Sequence, residues 1–141
     1  MKPATCPTIL LSLLSLLSLA TASAADLTIH VDQVKSADGQ IMVALYDSQA
    51  SYLKQARASL NAAAVAGRST VVFKDLPAGE YAFAVVHDAN NNGKMDRKLF
   101  GIPAEPYAFS NDASGNMGPP SYADARLSVP AAGSTVAVRL R

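Results

Sequence analysis

Hydrophobic and polar positions alternate with a period of two through much of this chain. Leu27, Ile29 and Val31 stand between Thr28, His30 and Asp32, and Ile41, Val43 and Leu45 repeat the pattern. Successive side chains of a strand point to opposite faces, so this alternation marks strands with one buried face. Between the two runs lies Ser36-Ala37-Asp38-Gly39, and Asp-Gly is a strong hairpin signal. The pattern therefore predicts an opening β-hairpin.

The signal weakens from Asp47 to Gly67. Asp47 or Ser48 can cap a short helix over residues 49–57, which hold Ala, Leu, Lys, Gln and Arg, all good helix formers. Leu60–Val65 reads as strand or coil. Val71, Val72 and Phe73 form the next strand, and Asp75-Leu76-Pro77-Ala78-Gly79 is a turn by composition. Tyr81–His87 is the clearest strand. Tyr81, Phe83 and Val85 share one face, while Ala82, Ala84 and Val86 share the other, as expected for a central strand covered on both sides.

A polar loop, Asp88–Asp96, follows. Pro103, Pro106, Pro119 and Pro120, with Gly101, Gly115 and Gly118, then break up residues 100–122, where no regular element is expected. That stretch also carries Phe100, Tyr107, Phe109 and Tyr122, which implies a loop folded back with its rings anchored on the domain. Two more alternating runs close the chain: Ala125, Leu127 and Val129, then Val136, Val138 and Leu140. About seven short strands and at most one short helix predict an all-β antiparallel sandwich, immunoglobulin- or prealbumin-like.

The first residues follow another rule. Lys2 precedes an apolar run from Ile9 to Ala20, broken only by Ser12, Ser15 and Ser18, and Ala22-Ser23-Ala24 offers small residues for cleavage. This is the layout of a secretory signal peptide. The run is shorter than the roughly 20 apolar residues of a membrane-spanning helix. Residues 1–24 are read as the signal, with cleavage after Ala24 or Ala25, and residues 25–141 as a single domain. The expected location is outside the cytoplasm, periplasmic or extracellular, with no membrane span in the mature chain.

Composition then narrows the chemistry. The one cysteine, Cys6, precedes the apolar run, so the expected mature chain has no disulfide and no thiolate ligand. Without Lys2, 11 basic residues face 11 acidic ones. A balance near zero argues against nucleic acid and against an anionic lipid surface as partners.

The sharpest local motif is Asp88-Ala89-Asn90-Asn91-Asn92-Gly93-Lys94-Met95-Asp96. Oxygen side chains occupy loop positions one, three, five and nine, with glycine at six. Calcium takes six to eight hard oxygens at about 2.3–2.6 Å, and alternate side chains of a curled loop point inward. The expected ligands are Asp88, Asn90, Asn92, the Lys94 carbonyl and Asp96, binding one Ca²⁺ weakly. Position twelve is Leu99 rather than glutamate, and strand alternation precedes the loop, so this is not an EF-hand. A further acid has to come from elsewhere, and Glu105 is the nearest. A plain polar turn uses the same residue types.

Enzyme signatures are thin. His87 and Asp88 are strand neighbours and so face opposite sides, and no serine sits in a nucleophile elbow. His87 reads first as a cap on the core edge, and His30 as a solvated side chain. No catalytic residue is assigned. His87, Glu105, Tyr107, Phe109 and Tyr122 are candidates for a ligand surface, since aromatic rings suit a sugar or a peptide.

Two resemblances add to this. Phe73-Lys74-Asp75-Leu76-Pro77-Ala78-Gly79-Glu80-Tyr81 resembles the corner of prealbumin-like sandwich modules of the collagen-adhesin B type. A longer series is similar to the bacterial secreted family known as domain of unknown function 2141. It comprises the His87–Asp96 motif, Phe100-Gly101-Ile102-Pro103 with Glu105, Tyr107 with Phe109-Ser110-Asn111, and Gly118-Pro119-Pro120-Ser121-Tyr122 with Ala125. Pro106 and Ala108 stand where that family usually has glycine. The resemblance implies an exported, sandwich-like domain and no established activity.

The reading is an exported, non-enzymatic β-sandwich module with a calcium loop, whose partner is an envelope or extracellular ligand, carbohydrate or protein. The alternatives are a small hydrolase or carbohydrate-active enzyme using His87, Asp88 and Glu105, and a purely structural envelope protein.

Overall fold

The computed structural model describes residues 24–141. All but the last residue of the expected signal segment lie outside them. Ala24, at the expected cleavage site, begins the first strand.

Eight strands lie among the described residues: β1 (Ala24–Val34), β2 (Gln40–Tyr46), β3 (Ala58–Ala63), β4 (Gly67–Pro77), β5 (Gly79–Asp88), β6 (Tyr107–Phe109), β7 (Leu127–Val129) and β8 (Ser134–Arg139). They form two sheets. One has the order β4-β1-β8, the other β3-β2-β5-β6, with β7 also paired to β5. All pairs are antiparallel except β1 with β8. The two sheets face each other across one apolar core, so the domain is the expected all-β sandwich.

The alternating residues build that core. Leu27, Ile29 and Val31 point inward from β1, Ile41, Val43 and Leu45 from β2, and Phe83 and Val85 from β5. The motif before β5 also closes tightly. Tyr81 is buried, and its hydroxyl donates to the Pro77 carbonyl at 2.6 Å, tying the start of β5 to the end of β4.

The expected opening hairpin is not formed. β1 and β2 belong to different sheets, and Lys35–Gly39 is an arch between them. Alternation says which face of a strand is buried but not which neighbour it bonds, and here the two buried faces meet across the core. Gly39 suits the arch in another way. At φ +66° its Cα lies so close to the Asp88 carbonyl that a Cβ would stand 1.9 Å from that oxygen.

Three local expectations also change. Residues 49–57 form hydrogen-bonded turns rather than a helix, because Leu53 adopts φ +55° and interrupts the helical run. The proline-rich stretch does hold regular elements: strand β6, and at its end a one-turn helix, α1 (Tyr122–Ala125). Ser121 caps α1, accepting from the Asp124 N–H at 3.2 Å and donating to the Asp124 carboxylate at 2.7 Å. Ala125 thus ends a helix instead of starting the strand of Leu127 and Val129. Finally, β5 is central but unevenly covered. Its core side is buried, while Ala84 and Val86 on its outer side are only half-buried.

Candidate functional site

The chain leaves β5 at Asp88, whose carboxylate is fully buried on the outer side of the sheet. Its cross-strand partner is Gln40. The Gln40 amide donates to Asp88 Oδ2 at 2.8 Å, the Gly93 N–H to the same oxygen at 2.8 Å, and the Asn92 N–H to Oδ1 at 3.1 Å. The Gln40 bond above all, with the Gly93 and Asn92 N–H groups, holds the carboxyl below its ordinary range against the opposing effect of desolvation. Positive φ at Asn91 and Gly93 curls the chain around this anchor.

Asn90, Asn92 and Asp96 then converge. The Asn90 amide donates to Asp96 Oδ2 at 2.6 Å, and the Asn92 amide to both Asp96 oxygens at 2.7 and 2.8 Å. Glu105 supports them from outside, accepting from the Asp96 N–H at 3.0 Å. A carboxylate has about four acceptor positions, of which the bonds above take three at Asp88. The donor set is one of hard oxygens, the kind calcium prefers. As they stand, the two amides turn their N–H groups toward Asp96, while their oxygens accept from the Asn92 and Lys94 N–H groups at 3.3 and 3.1 Å. Among the described residues there is no cluster of three or more His, Cys, Asp or Glu side chains around a possible metal position.

The ligand-surface candidates are separated by the fold. His87 faces the core edge and is buried, its Nε2 lying 2.8 Å from the Asp38 carbonyl. Glu105 supports the loop. Tyr122 packs edge-on against Tyr52, with ring centroids 5.7 Å apart, and Tyr52 in turn packs against Tyr46 at 5.5 Å. Only Tyr107 and Phe109 stay together, 5.9 Å apart and edge-to-face. His87 and Asp88 thus point to opposite faces of the sheet, and both are buried.

What Tyr107 and Phe109 do share is a groove that sequence patterning did not reveal. They pair with Val86 and Ala84 across β5 and β6, so all four side chains lie on the outer face of the sheet. There they help line a cavity of about 690 Å³, within the size range of small-molecule sites. One wall runs from the end of the polar loop, Met95, to Pro103. The other is Met117–Pro119.

The first wall is a small hairpin. Arg97 bridges to Pro103, and the Lys98 N–H donates to the Ile102 carbonyl at 2.7 Å. At its tip Phe100 and Gly101 take positive φ, at +64° and +73°. Phe100 is not anchored as expected: it is 98% exposed, as fully as Met117 opposite. The signal for this site was present in pieces, as apolar residues outside any alternating run. Their approach depends on separate segments, residues 84–86, 95–103, 107–109 and 117–119, that no periodicity links.

No curated protein and no solved structure matches this chain. A family model does match it over residues 29–137, from the first strand to the last, and so includes the polar loop and both groove walls. That family is described as an uncharacterized protein conserved in bacteria, domain of unknown function 2141, and the chain belongs to it.

Proposed function

We propose that this protein is an exported, non-enzymatic binding module in which one weakly held Ca²⁺ braces a wall of the groove. The observation that carries the reading is the convergence of Asn90 and Asn92 on Asp96, at the base of the Met95–Pro103 wall. A cation there would fix the base of that hairpin. Asp88 would offer its remaining acceptor position as the second charged ligand, Glu105 would hold the end of the loop, and the Lys94 carbonyl would complete the set. Export rests on the Lys2, Ile9–Ala20 and Ala22-Ser23-Ala24 series. The mass of the protein recovered from cell envelopes should correspond to a start at Ala25 or Asp26, and a mass that includes Met1 would sink the export reading.

Calcium binding is tested by thermal melting with calcium or chelator. Two charged ligands and no glutamate at position twelve predict a Kd of about 10⁻⁴–10⁻³ M, the range of extracellular modules. At a Kd of about 10⁻⁴ M, 1 mM calcium adds roughly 1.4 kcal/mol. That is a rise of several degrees in Tm for a domain of this size. Magnesium should do less, because it demands a tighter octahedron. Asp96→Ala should abolish the calcium-dependent difference, whatever it does to the Tm itself. Wild-type protein melting alike in calcium and chelator refutes the calcium reading.

A further inference from the structure

We infer that the groove binds a small amphiphile, an apolar body carrying one anionic group, with Arg97 as the residue that pairs the anion. The inference rests on the binding-module reading above and names the ligand class of its groove.

The lining sets the body of the ligand. Tyr107, Phe109, Ala84 and Val86 form an apolar floor, and Ile102 and Met117 stand on opposite walls. Four large apolar side chains at or beside its mouth are strongly exposed: Leu99, Phe100, Ile102 and Met117. Scattered exposed apolar residues are ordinary, but a contiguous group around a concave surface marks a place where apolar matter binds. A sugar suits this groove poorly. Its many hydroxyls need convergent polar partners, and each one buried without a partner is costly.

Charge sets the head. Arg97 is the one charged side chain among the lining residues. It donates through Nη1 to the Gly101 carbonyl at 2.8 Å, which fixes the guanidinium at the hairpin wall. Among the described residues it forms no ion pair, unlike Arg57, Arg68, Arg126 and Arg139. A guanidinium has five N–H donors in a fixed fork, so most of them are left for a carboxylate, sulfonate or phosphate group. An uncharged hydrocarbon would leave that fork unused. A cationic amphiphile would be repelled by it.

The test uses two fluorescent probes that differ by one anionic group, 8-anilinonaphthalene-1-sulfonate and the neutral N-phenyl-1-naphthylamine. Both are titrated into the folded mature protein with 1 mM calcium present. That condition tests the groove whether or not the loop takes the ion, since the loop is judged separately by melting without probe. The sulfonate should bind one to one and more tightly than the neutral amine. Arg97→Gln should weaken the sulfonate by about tenfold, the scale of one charge-assisted hydrogen bond, and leave the amine unchanged. Phe109→Ala should weaken both. Met117→Ser, at a fully exposed position, should do the same to a smaller degree and keeps the test valid if Phe109→Ala fails to fold. Equal affinity for the two probes, or an Arg97→Gln protein that binds the sulfonate as wild type does, overturns the assignment. So does a protein that binds neither probe but floats with phosphatidylglycerol vesicles through Leu99 and Phe100, which would make the hairpin a membrane wedge.

Discussion

The two faces of β5 are built from the same short run of residues and have opposite characters. On the inner face Tyr81, Phe83 and Val85 are sealed between the sheets. On the outer face Ala84 and Val86 are half-buried and floor an open groove. The difference lies in what covers each face. A second sheet covers the inner one, with regularly spaced side chains from β1, β4 and β8. Loops cover the outer one, and their apolar residues meet it only in part. Stability should therefore reside in the first face and recognition in the second.

The largest expected effect breaks that division most directly. Phe83 is fully buried in the core, and Phe83→Ala should cost about 3–5 kcal/mol, the usual range for a core phenylalanine. Phe100→Ser, at the mouth of the groove, should change stability by no more than about 0.5 kcal/mol. Urea unfolding of the two variants decides it. Comparable losses would mean that the groove wall is part of the fold's support and not a free binding surface.

The same division separates what is legible in the sequence from what is not. Leu27, Ile29 and Val31, and Ile41, Val43 and Leu45, announce the inner face because a dry core on one side of a strand imposes a period of two. Their pairing was not legible. The β1–β2 hairpin expected from Asp38-Gly39 became an arch, and β1 instead pairs in parallel with β8, more than 100 residues away along the chain. The polar loop was legible in its spacing, and Asp88, Asn90, Asn92 and Asp96 do form one hydrogen-bonded unit. Gln40 as the partner of Asp88 was not, because cross-strand register joins residues that nothing links in sequence. The groove was least legible of all. Arg97, Phe100 and Met117 follow no period, and they line a common cavity only after β6 has brought Tyr107 and Phe109 beside β5.

Two tyrosine hydroxyls sharpen the comparison at the scale of single atoms. Tyr81, on the inner face, donates to the Pro77 carbonyl at 2.6 Å. Tyr81→Phe leaves that carbonyl without its donor and should cost roughly 0.5–1.5 kcal/mol. Tyr52, in the ring cluster with Tyr46 and Tyr122, has a buried hydroxyl with no hydrogen-bond partner among the described residues. Removing it relieves a desolvated polar group, so Tyr52→Phe should be neutral or slightly stabilising at pH 7. The same hydroxyl carries a pH signature. Burial first, then the neighbouring Tyr46 and Asp124, push its pKa from 10.0 up to about 12. The folded state thus holds this proton more tightly than the unfolded chain does. Its contribution to stability is complete below about pH 10 and is lost as pH rises through about 12. Tyr52→Phe should therefore gain on wild type as melting is followed from pH 9 to pH 12, while Tyr81→Phe stays below wild type at pH 7 to 9. A Tyr52→Phe protein that melts well below wild type at pH 7 would show that the hydroxyl has a partner, and that this edge of the outer face is as finished as the core.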